Sequence, residues 1–310
     1  MDVVFLCPGQ GAQTPGFLQR LPSHPAVAAT LDEADAILEC DARKLDTEAA
    51  LASTVAVQLG GLIAGVAVAR VLSAEGVQAD AAAGLSSGAY TAAVVCGALD
   101  FPAALRLLRL RAQLMEQAYP HGFGLAALIG LDESRVMRLV ADLHTDAQAL
   151  YIANVNARTQ IVVAGSDQAL EAVLLAARQA GAVRAQRMAV GVPSHCPLMD
   201  GVAATLRQAI AQCKLVPPRI PYISNVRARV LRDPDDIGQD LANNVAHTVR
   251  WHDAMTVLYE LGARHFFEVP PGTVLTGLMR ESFPDVEARS MTDMPVESIA
   301  YFGRRARGNA

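Results

Sequence analysis

Ser86 stands in Gly84-Leu85-Ser86-Ser87-Gly88, a G-x-S-x-G pentapeptide at the end of an apolar run. That spacing suits a nucleophile elbow, a sharp strand-to-helix turn that pushes a serine hydroxyl into a cleft. Side chains at the two flanking positions would collide with neighbouring backbone, so glycine is required there. The amide of Ser87, at the start of the following helix, points the same way and can stabilise an oxyanion. The same five residues also fit a tight turn in which Ser86 only caps the helix.

An alcohol nucleophile needs a base, and the sequence offers seven histidines. His24, His121, His144, His247, His252 and His265 lie beside turns or in amphipathic stretches without a companion motif. His195 differs. It sits in VGVPSHCPLMD, where Pro193 and Pro197 keep the chain out of regular structure just before a helix. A histidine on so rigid a loop suits general-base work. Its neighbour Cys196 points elsewhere and reads as a small buried residue. A second oxyanion donor is available in CPGQGAQ (7–13), where the amide of Gln10 can face that of Ser87. Neither a dinucleotide fingerprint nor a P-loop is present.

The elements that must hold these groups follow from periodicity. VVFLC (3–7) reads as a fully buried strand, and 79–85 ends a second one. Helices are expected over 25–40, 54–73, 87–97 and 101–118. Strand and helix in alternation indicate a parallel α/β sheet. From 125 the order becomes βαββαβ, the ferredoxin-like split unit, with Ser166 as the N-cap of a helix over 166–182 and a last strand over 183–190. The expected organisation is a hydrolase-like parallel-sheet large domain, 1–122 and 191–310, carrying an inserted ferredoxin-like small domain, 123–190. The return to the large domain brings a helix over 197–212, helices near 234–243 and 250–261, and a strand over 265–269.

The composition supports a packed globular chain. Hydrophobic residues make up 52% and charged residues 18%, which allows a sizeable core. A net charge of −5 gives no basic excess for nucleic acid. Five scattered cysteines form no CxxC pair, which argues against a disulfide framework or a zinc site and for a reducing, cytoplasmic setting. The apolar run Val55–Ala69 is broken by Gln58 and glycines and reads as a buried helix, so no membrane span is expected. No metal or tightly bound cofactor is expected.

Six segments together carry a resemblance: FLCPGQGAQ, GLSSGAYTAAVVCGAL, LRLRAQLM, ANVNARTQIVVAG, VPSHCPLM and EVPPGTVLTGL. In order and spacing, across nearly the whole chain, they resemble malonyl-CoA:acyl-carrier-protein transacylases. The resemblance implies that Ser86 accepts the acyl group, that His195 is its base, and that the amides of Gln10 and Ser87 form the oxyanion hole. It implies that Arg111 pairs with the malonyl carboxylate. Residues alone would leave Arg111 a solvated helix position beside Arg106 and Arg109, since the three cannot share one helix face. Gln58, Asn154 and Asn156 match polar residues of the family's cleft. The main-chain carbonyl that orients the histidine falls on Arg250. The implied substrates are a CoA thioester, malonyl-CoA, and an acyl carrier protein.

The elbow departs from the family's usual G-H-S-L-G-E, with Leu85 for the histidine and Ala89 for the glutamate. That departure, with the C-terminal stretch SMTDMPVESIAYFGRRAR, looks more like the malonate decarboxylase epsilon subunit than the fatty-acid enzyme. The alternatives are the same reaction in fatty-acid or polyketide synthesis, a serine thioesterase or esterase, and an inactive scaffold subunit. Arg184 and Arg187, or Arg227, Arg229 and Arg232, are candidates for a basic patch facing an acidic carrier.

Overall fold

The computed structural model describes residues 2–306. Its strands, in chain order, are β1 (Val3–Cys7), β2 (Ala81–Gly84), β3 (Phe123–Ile129), β4 (Leu150–Ala157), β5 (Gln160–Ser166), β6 (Arg184–Arg187), β7 (Tyr222–Ile223), β8 (Val230–Leu231), β9 (His265–Glu268) and β10 (Glu287–Ser290). They form a six-stranded sheet ordered β10-β9-β1-β2-β7-β8 and a four-stranded sheet ordered β4-β5-β3-β6.

In the larger sheet every pairing is parallel except the terminal β7–β8 hairpin. The alternation of strand side chains explains why VVFLC is apolar throughout. Val3, Phe5 and Cys7 join one core layer, and Val4 and Leu6 join the layer on the opposite face. The first layer is filled by the helix Thr54–Ala74, which packs against Pro25–Leu38 and Phe101–Ala118. Thr54–Ala74 is long and apolar enough to cross a membrane, but most of it is buried in this core. Helices Trp251–Glu260 and Val274–Ser282 cover the other face. An α/β architecture with a parallel central sheet was the expectation.

The smaller sheet is antiparallel in all its pairings. Helices Glu133–Leu143 and Asp167–Gln179 cover one face through Leu128, Val155, Ile161 and Val163. Ser166 caps the second of them by accepting from the amide of Ala169. The opposite face carries Leu125, Ala153, Val162 and Ala164 and packs on Cys196, next to His195. Amphipathic strands therefore do two jobs here: one face builds a core, and the other roofs the cleft. The chain segment around Val249 pairs with β4, where the amide of Val155 donates to Val249 O and that of Val249 to Ala153 O, both at 2.9 Å.

Some boundaries shift. The stretch 183–190 is strand only over Arg184–Arg187, the part that pairs with β3. The helix expected over 197–212 opens with a 3-10 turn at Pro197–Met199 before Asp200–Ala211. Strand β10 and the helix Val296–Ala306 were not anticipated. Strand β10 offers one apolar residue, Ala288, and the helix buries mainly small ones, Ala300, Gly303 and Ala306, beside Ile299, so neither shows the run of large apolar residues that sequence reading detects.

Candidate active site

Strands β1 and β2 lie side by side, with Cys7 in register with Gly84. Their carboxyl ends therefore release two turns next to each other: Pro8-Gly9-Gln10 from one, Leu85-Ser86-Ser87 from the other. Ligand clefts form at such strand ends in parallel sheets. The turns can touch only because glycine stands at the contacts. A Cβ on Gly88 would lie 2.1 Å from the carbonyl oxygen of Cys7, and one on Gly84 would lie 2.0 Å from that of Gly88. A Cβ on Gly9 would come within 2.8 Å of Leu85 O.

Ser86 takes a left-handed backbone with φ 56°, as an elbow serine does, and the helix Gly88–Val95 begins directly after it. Among the described residues the amides of Gln10 and Ser87 have no hydrogen-bond acceptor. Both are donors that the fold leaves unused at the mouth of the turn pair.

His195 Nε2 lies 2.7 Å from Ser86 Oγ. His195 is itself left-handed, φ 66°, and its amide donates to Val245 O at 2.6 Å. On its other side, Nδ1 lies 2.5 Å from the carbonyl oxygen of Asn244. A carbonyl only accepts, so Nδ1 carries the proton and Nε2 presents a lone pair to the serine hydroxyl. Burial, reinforced by the charge on Arg111, pushes His195 down to about 3, against the opposing pull of the Asn244 carbonyl. The imidazole is thus a neutral base at any ordinary pH.

The histidine-orienting carbonyl is therefore that of Asn244, not that of Arg250 as expected. Arg250 is otherwise engaged. Its guanidinium binds Glu133 at 2.5 Å and Asp253 at 2.7 Å, which ties the helix Glu133–Leu143 to the start of Trp251–Glu260. Sequence gave no access to Asn244, because a main-chain acceptor can come from any residue type.

Arg111 is only 1% exposed, whereas Arg106 on the same helix is exposed. Its Nη2 lies 3.4 Å from Ser86 Oγ, and its Nη1 donates to Gln58 Oε1 at 2.6 Å. Among the described residues no carboxylate comes within ion-pair distance of it, and its Nε has no partner. Burial lowers the guanidinium to about 10, which leaves it charged at neutral pH. A buried cation with only neutral partners is costly, and an incoming anion would relieve that cost. Gln58 also reaches Gln10 Oε1 at 3.4 Å through its own amide nitrogen.

Asn154 and Asn156 project from β4 into the cleft, alongside Ser86, Leu125 and Met188. Among the described residues the buried Oδ1 of Asn156 has no partner. A larger cleft opens at the other end of the sheet between Phe5, Arg70, Leu99 and Arg219, but it contains no histidine. Cys196 is buried, and its thiol donates to Pro193 O. Of the arginines considered for a basic patch, Arg187 is paired with Asp167, and Arg227 and Arg229 both face Asp236.

Residues 4–307 match the acyl transferase domain family. The chain is 35% identical over 295 residues to the malonyl CoA-acyl carrier protein transacylase of Escherichia coli K12, covering 93% of this chain and 95% of that one. The chain belongs to the malonyl-CoA:acyl-carrier-protein transacylase family.

Solved transacylases have the same fold. The malonyl CoA-acyl carrier protein transacylase of Coxiella burnetii superposes with a TM-score of 0.94 at 32% identity, over 99% of this chain and 98% of that one. A malonyl-transacylase in complex with its type II PKS acyl-carrier protein superposes with a TM-score of 0.92 at 32% identity, over 98% and 99%. Placed within this transacylase family, Ser86 Oγ joins two groups in one constellation, His195 Nε2 at 2.7 Å and Arg111 Nη2 at 3.4 Å.

Proposed function

We propose that this chain is an [acyl-carrier-protein] S-malonyltransferase that moves a malonyl group from malonyl-CoA to the thiol arm of an acyl carrier protein. The observation that carries this reading is the buried guanidinium of Arg111 beside Ser86 Oγ, with no carboxylate partner among the described residues. A guanidinium grips a carboxylate bidentately, and the charged bond contributes about 2–3 kcal/mol. A dicarboxylic thioester supplies that carboxylate at one end and a reactive carbonyl at the other.

In this reading Ser86 gives its proton to His195 Nε2, and Oγ attacks the thioester carbon. The oxyanion forms between the amides of Gln10 and Ser87. The C–S bond then breaks, the sulfur of CoA takes the proton from His195, and malonyl-Ser86 remains. The carrier thiol next loses its proton to His195, and its sulfur attacks the ester. The serine oxygen leaves and is protonated by His195. Gln58 holds Arg111 in place, and Asn154 lines the opposite wall. No tightly bound cofactor takes part in this sequence. The catalytic turns belong to a large domain of 1–122 and 191–310, and the roof to a small domain of 123–190.

We further propose a malonate decarboxylase as the setting, on the strength of Leu85 and Ala89 at the elbow. Leu85 lines the cleft, and Ala89 is fully buried with its amide donating to Ser86 O at 3.0 Å, so both changes lie beside the elbow. The likeness to a malonyl-transacylase solved with its type II PKS acyl-carrier protein favours a second setting, in polyketide or fatty-acid synthesis. Incubation with malonyl-CoA followed by mass spectrometry tests the reaction: a lasting malonyl adduct on Ser86 is expected. Prompt release of free malonate would instead make the protein a thioesterase, and absence of any reaction would make it a scaffold. Transfer assayed against a decarboxylase carrier and a fatty-acid carrier decides the setting.

A further inference from the structure

The left-handed backbone of Ser86 is held from outside the elbow. The side chain of Asn225, in the loop after β7, accepts from the Ser86 amide at 2.9 Å and donates through Nδ2 to Gly84 O at 2.7 Å. One amide group thus bridges the residue before the turn and the nucleophile itself. Asn225 is 3% exposed and has no place in the proton transfers described above.

Asn225 is in turn fixed by Asp240 on the helix Pro234–Asn243. The carboxylate accepts from the Asn225 amide at 3.2 Å, the Tyr222 hydroxyl at 2.8 Å and the Val226 amide at 3.3 Å, and also from the Ser224 hydroxyl. Asn244 lies one helical turn beyond Asp240 on the same side, so Asp240 meets the loop after β7 and Asn244 meets the elbow. The Asn244 side chain donates to Ser86 O at 3.2 Å while its own carbonyl accepts from His195. The backbone of Ser86 is therefore gripped at its amide by Asn225 and at its carbonyl by Asn244.

We propose that Asn225, braced by Asp240, is a positioning residue that keeps Ser86 in its strained conformation, with Oγ aimed at His195 and the Ser87 amide aimed at the oxyanion. A serine at positive φ is disfavoured by its own Cβ, and such strain persists only where surrounding bonds over-determine it. Without the bridge the turn relaxes, and a displacement of about 1 Å at the nucleophile costs on the order of 100-fold in rate. Substrate binding rests on Arg111, which is attached to a different helix, so it survives the relaxation. The proposal builds on the reading of Ser86 as the acyl-accepting nucleophile.

Two variants and one measurement on the parent protein test it. Asn225→Ala loses both bonds, whereas Asn225→Asp keeps an acceptor for the Ser86 amide and loses the donor to Gly84. For Asn225→Ala, kcat for malonyl transfer is expected to fall by about 10- to 100-fold with KM for malonyl-CoA within about threefold of the parent. Asn225→Asp is expected to fall between the two. Labelling of Ser86 by a sulfonyl fluoride, which needs no malonyl group, should slow in the same order. In the parent, the Ser86 amide should exchange its hydrogen slowly, as a buried bonded amide does.

Folded variants with kcat within threefold of the parent, a loss expressed in KM alone, or rapid exchange at the Ser86 amide would each overturn the proposal. A parent that reacts with the sulfonyl fluoride but not with malonyl-CoA would remove the proposed function. The labelling rates would then decide the role of Asn225 by themselves.

Discussion

The carbonyl oxygen of Asn244 lies 2.5 Å from Nδ1 of His195, and the side chain of the same asparagine donates to the carbonyl of Ser86. One residue therefore sets the tautomer of the imidazole and steadies the serine that faces it. A carboxylate in that place would favour the imidazolium. The neutral carbonyl leaves an imidazole whose cation gives up its proton readily, which suits the proposed transfer to a thiolate leaving group. Four consequences can be measured.

Arg111→Ala should lower kcat/KM for malonyl transfer by about 30- to 150-fold, the equivalent of the lost charged bond. Transfer of acetyl groups, which lack the carboxylate, should change by less than about threefold. Parallel steady-state assays with malonyl-CoA and acetyl-CoA check this, and equal losses for the two would remove Arg111 from selectivity.

The low pKa of His195, about 3, makes two statements about pH. For activity, kcat/KM of the free enzyme should show no loss attributable to an ordinary histidine near 6.5. For stability, the unfolded imidazole binds a proton below about 6.5 while the folded one does not until about 3. Protonation of the unfolded state therefore lowers stability as pH falls through that window, by up to about 1.4 kcal/mol per pH unit. Denaturant titrations at pH 7 and pH 5 should show a smaller difference for His195→Gln than for the parent.

Gly88→Ala places a methyl group 2.1 Å from the carbonyl of Cys7, which backbone cannot yield without parting the β1 and β2 turns. A destabilisation of about 3 kcal/mol is expected, together with loss of Ser86 reactivity in whatever fraction folds. The midpoint of urea unfolding and the yield of labelled Ser86 report the two effects separately.

Gln58→Leu removes the neutral acceptor 2.6 Å from Arg111 Nη1 and leaves a buried charged donor without a partner. A loss of about 1–3 kcal/mol in stability is expected. Saturating malonate, by supplying an anion to Arg111, should recover more of that loss in Gln58→Leu than it adds to the parent. Thermal shifts with and without malonate measure the difference.

The sequence alone determined the local parts of this protein. The G-x-S-x-G spacing fixed a turn in which Gly84 and Gly88 must lack side chains. The apolar run 3–7 fixed a strand buried on both faces, because that depends on residues near one another in the chain, and the βαββαβ order indicated the smaller sheet, because short connections leave few ways to pair its strands. His195 stood out among seven histidines through its proline-flanked loop. Tertiary structure decided what depends on contacts between distant segments: that Nε2 of His195 meets Ser86, that Arg111 is buried with no carboxylate beside it among the described residues, and that Asn244 rather than Arg250 supplies the orienting carbonyl. The last was beyond any reading of side-chain types. Every residue has the same carbonyl, and only the path of the backbone decides which one reaches the ring.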